Sequence, residues 1–200
     1  MNAGRIVVLI AFLLLFGTWA YADDCGGGWR YADNLDGTIT DCRTGLIWLK
    51  NAKCTDTSNG IANSNGYLTW HDAMKWVKGL HSGLCQLNDF STIGDWRLPT
   101  RTEWMAMIAG AKSKGFTQPM LTNWAGDEKW TNGNPFFDVQ VFGYYWSSTT
   151  VPWDKTSTWA LDIADGPLEQ VSKSLTEYVW PIRAGQVAGN DASFDTVTVE

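Results

Sequence analysis

Four cysteines, two histidines and thirteen tryptophans are the residues of this 200-residue chain whose chemistry could set its function. Cys25, Cys42, Cys54 and Cys85 all lie in the first half, with no C-x-x-C pair among them. Zinc coordination would need more His and Cys at ligand spacing than His71 and His81 supply. An even cysteine count instead suits two disulfides in an oxidising compartment, with three connectivities open. No G-x-S-x-G elbow pairs a serine with either histidine, and no G-x-G-x-x-G or Walker loop is present. The acidic run Asp33 to Asp41 invites a calcium loop. With Gly37 at the sixth position of such a loop, Ala32 and Arg43 fall where the end carboxylates belong, so the EF-hand pattern fails. No metal and no cofactor is expected. The tryptophans offer a different chemistry. Trp124, Trp130 and Trp153 stand beside Asn123, Asp127, Glu128, Asn132 and Asp154. A ring face that stacks, flanked by amides and acids that hydrogen-bond, suits a sugar or protein ligand.

Composition narrows the class. Apolar residues make up 44% and charged residues 18%, enough to bury a core in one domain. The formal charge is −6, and no Lys/Arg run occurs, which excludes a nucleic-acid footprint. Residues 1–22 combine Arg5, the apolar run Ile6 to Phe16 and the ending Ala20-Tyr21-Ala22. These are the parts of a secretory signal peptide, and cleavage after Ala22 is expected. The apolar run is too short for a bilayer span, and no later segment is long enough either. A secreted protein, periplasmic or extracellular, without a membrane span after cleavage, is therefore expected.

The elements that would position these groups can be read from spacing. Residues 23–30, with Gly26-Gly27-Gly28, read as a flexible lead-in. Asp36-Gly37 between short β-prone runs signals a hairpin, followed by a buried strand from Gly45 to Leu49. Thr69 with Asp72, and Thr100 with Glu103, are helix-starting pairs. The first precedes an apolar stripe of Trp70, Ala73, Met74, Val77 and Leu80, the second one of Trp104, Met107, Ile108 and Ala111. Periodicity then lapses over 112–143 and again over 149–157. Tyr144 to Ser148, Thr158 to Ile163, Leu168 to Lys173 and Glu177 to Arg183 read as strands, with a second hairpin at Asp165-Gly166. Short strands with two early helices predict an α+β domain over 31–186, followed by a mobile polar tail at 187–200. A long aperiodic stretch in such a domain is usually functional, which places the ligand site between Lys112 and Thr156. Trp48, Trp70, Trp96, Trp146, Trp159 and Trp180 read as core. Arg97, just before the second helix, reads as structural, its guanidinium holding carbonyls or acids.

Asp33 to Asp41 with Thr44-Gly45-Leu46-Ile47-Trp48 resembles the opening of the Lcl C-terminal domain family, also catalogued as domain of unknown function 1566. Gly94-Asp95-Trp96-Arg97-Leu98-Pro99-Thr100, Tyr145-Trp146-Ser147-Ser148-Thr149 and Tyr178-Val179-Trp180-Pro181-Ile182-Arg183 extend the resemblance over roughly 31–186. It implies a C-type-lectin-like fold: two small antiparallel sheets, two helices and a long irregular region carrying ligand sites. Family members often carry cysteines at the places of Cys54 and Cys85, which implies that these two pair and leave Cys25 to Cys42. Arg97 to Thr100 with Glu103-Trp104 also resembles formylglycine-generating enzymes, but those use cysteines late in the domain and here none follows Cys85. C-type lectins that bridge sugars through calcium use E-P-N or Q-P-D loops and a W-N-D strand. Here Gln118-Pro119-Met120 lacks the carboxylate. The expectation is a non-enzymatic, adhesin-like protein that binds a glycan or another exported or surface protein. The alternatives are an assembly partner of another exported protein and, further off, a formylglycine-generating-type enzyme.

Overall fold

The computed structural model describes residues 24–185; the expected signal peptide and the tail at 187–200 lie outside the described residues. The Asp36-Gly37 turn joins β1 (Tyr31–Asp33) to β2 (Thr38–Asp41). Gly37 is needed there twice over: its φ is +89°, and a Cβ would sit 2.5 Å from the Gln86 carbonyl oxygen. A third strand, β3 (Leu46–Leu49), pairs with β2, and the last strand of the described residues returns to the far side of β3.

Both helix starts form as the sequence signals. Helix α1 (Trp70–Gly79) is capped by Thr69, which follows a short strand, β4 (Tyr67–Thr69). Helix α2 (Arg101–Ser113) opens with the complete Thr100–Glu103 capping box. Then come β5 (Tyr144–Val151), β6 (Asp154–Asp162), β7 (Leu168–Ser172), β8 (Thr176–Tyr178) and β9 (Ile182–Ala184). One sheet has the order β1-β2-β3-β9, the other β4-β8-β5-β6-β7. Among the described residues this is an α+β architecture, with two α-helices and two sheets.

Several details correct the sequence reading. The second sheet is mixed, because β8 lies parallel to β5 at Tyr145 and Tyr178. The expected strand from Glu177 to Arg183 is two strands in two sheets. Trp180 turns into the core between them, and Pro181, having no N–H to give, instead accepts a bond from the Leu49 N–H at 3.1 Å. Residues 149–157 are a tight hairpin rather than irregular: β5 runs on to Val151, Pro152 and Trp153 turn, and the Asp154 carboxylate caps the return by accepting from the Thr156 N–H and Oγ. The described part of the lead-in also has local structure. Asp24–Gly27 forms a 3-10 turn, and Arg30 is buried.

The disulfides are Cys25–Cys42 and Cys54–Cys85, the pairing the family resemblance implies. Closing spans of 17 and 31 residues contributes about 3 and about 4 kcal/mol through the unfolded chain. Behind the first bridge, Arg30 and Asp41 form an ion pair whose side chains are each 1% exposed. The same guanidinium reaches the Met107 carbonyl of α2 at 2.6 Å. Gly110 lets it approach, since a Cβ there would lie 2.8 Å from Arg30 Nη1.

Trp48, Trp96, Trp146 and Trp180 are fully buried, as are Trp76 and Trp104. Trp70 and Trp159, read as core, are only half-buried. Trp180 is the hub. Its ring centroid lies 4.9 Å from Phe136, 5.4 Å from Tyr145, 5.5 Å from Trp48 and 5.9 Å from Trp104. Among the described residues six indole N–H groups donate to main-chain carbonyls. Five, Trp70 to Ser147, Trp76 to Asp56, Trp104 to Trp146, Trp146 to Leu68 and Trp180 to Leu49, join parts of the chain that share no ladder. The sixth, Trp130 to Phe136, closes a turn within one segment.

Arg97 grips Glu103 with both terminal nitrogens, at 2.8 and 2.6 Å, and reaches the Leu98 carbonyl. Burial pushes the Glu103 carboxyl up. The bonds from Arg97 and from Thr100 outweigh burial and hold it below its ordinary value. A depressed carboxyl contributes stability that is full above the ordinary glutamate range, about 4.3, and disappears as pH falls through the folded value.

Two predictions follow from these contacts. Arg97→Lys should lower stability by about 1 kcal/mol, because the fork is lost while the charge stays; Glu103→Gln should flatten the fall of melting temperature between about pH 5 and pH 3. Trp180→Phe should cost about 1–2 kcal/mol more than Trp48→Phe in urea unfolding. The first strands the Leu49 carbonyl, whereas the buried Trp48 N–H has no partner to lose.

Candidate functional site

Between α2 and β5 the chain has no ladder of its own, yet it is tied down at both ends and in the middle. Gln118 and Met120 N–H groups donate to Ala164 and Ile163, each at 2.7 Å. Isolated bridges join Thr122 to Lys129 and Thr131 to Asn134. Two further clamps fasten the segment to the first sheet. The Trp124 carbonyl accepts from Arg30 N–H at 3.0 Å and Tyr31 N–H at 3.1 Å. Thirteen residues on, Phe137 exchanges bonds with Lys50 and Ala52. The irregular segment thus lies along the first sheet, and a seam runs between its two clamps.

Two hollows open on this seam. One, of ≈ 300 Å³, is lined by Trp29, Tyr31, Ala32, Asp33 and Trp124. The other, of ≈ 270 Å³, is lined by Asp33, Leu35, Lys50, Asn51, Gln86 and Phe137 among others. Asp33 borders both. Its Oδ2 pairs with the Lys50 ammonium and its Oδ1 accepts from the Leu35 N–H. Trp29 is 53% exposed and stands against the glycine turn: a Cβ on Gly27 would lie 2.9 Å from Trp29 Cδ1. The Cys25–Cys42 bridge and the Arg30 clamp hold this turn on either side of Trp29. Tyr31 directs its hydroxyl to Met107 Sδ at 3.4 Å, and burial pushes its phenol well above the ordinary range, so it stays neutral.

The residues that the sequence singled out fall into three groups. Asn123 organises its own loop: Oδ1 accepts from the N–H groups of Gly126, Asp127 and Glu128, and Nδ2 donates to Asp127. Asp127 and Glu128 are exposed. Asn132 Oδ1 accepts from the Asp138 N–H. These side chains shape the loop. Trp124 and Trp130 are half-buried against the core rather than exposed, and the Trp130 N–H is spent on the Phe136 carbonyl. Of these two, Trp124 lines a hollow. Trp153 is 71% exposed, but it belongs to the β5–β6 turn of the other sheet, edge-on to Trp159. Asp154 is spent on that turn. Among the described residues, no hydrogen bond, ion pair or ring contact joins Trp153 or Asp154 to 123–132.

Trp29, Asp33, Lys50 and Gln86 are the seam residues that the sequence did not single out. Their spacing carries no local signal, because three separate stretches of chain supply them. Only Asp33, inside an acidic family motif, stood in a marked position.

The cysteines and histidines of the described residues have other partners. All four cysteines are bridged. Cys54, Cys85 and Asp56 present donor atoms within 4.8 Å of one another, but both sulfurs are committed to their bond. His71 sits edge-on to Trp70, and His81 Nδ1 lies 2.8 Å from the Gly79 carbonyl oxygen. Neither meets a serine or a carboxylate among the described residues. No helix of the described residues is long and apolar enough to cross a membrane.

These placements separate two tryptophans by their stability cost. Trp130→Ala should lose about 3 kcal/mol in urea unfolding, since it empties a packed space and strands the Phe136 carbonyl. Trp153→Ala should stay within about 0.5 kcal/mol of the parent.

No curated protein matches the chain. The model of the Lcl C-terminal domain matches residues 37–183, a span that holds both described α-helices, all of the second sheet and the irregular segment, but not β1, Trp29 or Asp33. Three of the four motif blocks fall wholly inside that span, and β9 brings the last of them back beside β3. By that match the chain belongs to the Lcl C-terminal domain family.

Proposed function

We propose that this protein is an exported, non-enzymatic binding protein, adhesin-like, that takes a glycan in the seam between its irregular segment and its first sheet. The observation that carries the reading is the hollow at Trp29 and Trp124. Two tryptophans and a carboxylate border one concave opening, supplying rings for stacking beside an acceptor for hydroxyl groups. The surroundings are pre-formed: a disulfide and two main-chain bonds fix the Trp29 side, and Asn134 Oδ1 accepts the Trp124 N–H at 2.9 Å. Binding then costs little ordering of the protein. Bridged cysteines support the absence of a thiol-based reaction and suit an oxidising compartment.

A second reading, docking on another exported protein, has one feature in its favour. The exposed Trp153 leans on Trp159, over which the Arg101 guanidinium stacks at 4.5 Å, an aromatic and cationic surface of the kind that protein partners use.

A glycan array followed by titration calorimetry, with and without chelator, separates the two. Trp29→Ala and Trp124→Ala should each weaken glycan binding at least about tenfold, chelator should change nothing, and Trp153→Ala should bind as the parent does. Glycan binding that survives Trp29→Ala and is lost in Trp153→Ala moves the site to the hairpin.

A further inference from the structure

We infer that the seam accepts an uncharged, linear oligosaccharide lying across both hollows, so that at least two sugar units are held side by side with Asp33 between them. This rests on the glycan reading above and adds the length and charge of the ligand.

The length follows from the division of the seam. The hollows, at ≈ 300 and ≈ 270 Å³, lie at and just below the low end of the size of a small-ligand pocket, about 300 Å³. Asp33 lines both, so they are neighbours rather than separate sites. Their linings differ in kind. The first offers Trp29 and Trp124, which suit the face of a ring. The second offers Asn51 and Gln86, amides that suit hydroxyl and acetamido groups. The Gln86 side chain is exposed and makes no hydrogen bond among the described residues, and Asn51 uses only its Oδ1, on the Lys53 N–H. One sugar cannot use both linings; a chain can.

The charge follows from the ion pair. Among the described residues Lys50 is the one cation lining either hollow, and it is already bound to Asp33. A sulfated or uronate-rich polymer would have to break that pair and then face the freed carboxylate. The protein's overall charge of −6 opposes such a polymer further. A neutral chain leaves the pair intact and meets it through hydroxyl groups. A peptide strand is less well served, because the outer edge of β1 is already occupied where the Tyr31 N–H binds the Trp124 carbonyl.

The test is a ladder of neutral homo-oligosaccharides of glucose, galactose, mannose, xylose and N-acetylglucosamine, from one to six units. It is titrated into the full protein beside heparin and polygalacturonate, at about 50 and about 500 mM NaCl. At least one neutral series should tighten about tenfold or more between one and three units and then level off, with affinity unchanged by salt. Gln86→Ala should remove several-fold of that gain while leaving the single sugar's affinity alone. Trp29→Ala should weaken every length. A single sugar that binds as tightly as its hexamer overturns the two-hollow inference and leaves the glycan reading standing. So does a neutral chain whose gain with length survives Gln86→Ala intact. Binding confined to heparin or polygalacturonate, falling steeply with salt, overturns the uncharged ligand. Failure of every sugar to bind sinks the glycan reading itself, and capture of an unstructured peptide in its place identifies the occupant as protein.

Discussion

Everything in this domain leans on the ring of Trp180. It sits on the three residues that carry the chain from the second sheet to the first, and it touches an aromatic residue from β3, from α2, from β5 and from the irregular segment. The two sheets share no strand and no ladder. What fixes their relation is packing around this indole, reinforced by its N–H bond to Leu49 at 2.7 Å. Aromatic rings suit such a joint, because one side chain buries a large area and still carries a directed donor. The high tryptophan content becomes intelligible in these terms. With short strands and two modest helices, many strand carbonyls would face the core unpaired, and the indoles both fill the space and satisfy them.

Local signals in the sequence proved a sound guide to local structure. Thr69 and Thr100 announce helix starts because capping is decided within four residues, and Asp36-Gly37 announces a hairpin because the turn needs positive φ at Gly37. Non-local decisions could not be read this way. Glu177 to Arg183 looks like one strand by composition, and only the distant partners of Trp180 break it in two. Val151 to Lys155 looks like a loop because Pro152 and Asp154 are turn residues, yet the turn they make is a tight one within a long hairpin. The candidate site suffers most. Trp29 and Trp124 are ninety-five positions apart, and nothing near either one predicts the bond between the Trp124 carbonyl and the Tyr31 N–H that brings the two segments together. Exposure of a tryptophan in an aperiodic stretch was equally beyond local reading: Trp130 tucks under its loop and Trp153 stands free.

The irregular segment does not behave as a floppy insertion. Asn123 takes three main-chain N–H groups on one oxygen, Trp130 pins the turn to Phe136, and clamps at Trp124 and Phe137 set its distance from the first sheet. A seam built this way has walls of main chain and packed rings. These ties favour selectivity by fit over closure around the ligand.

The placement of the last two strands also governs the order in which this molecule can be completed. β8 is the inner strand that joins β4 to β5, and β9 is the strand that finishes the first sheet, with the Gly185 N–H closing on the Gly45 carbonyl. Neither sheet can assemble in full before the final stretch of the domain has emerged from the ribosome. All four cysteines, in contrast, are available long before that. Both disulfides close within the early half, whereas both sheets close only with the late half, and such long-range closure makes for slow folding. The two sheets are thus completed together, by one short stretch that supplies β8 and β9 in succession.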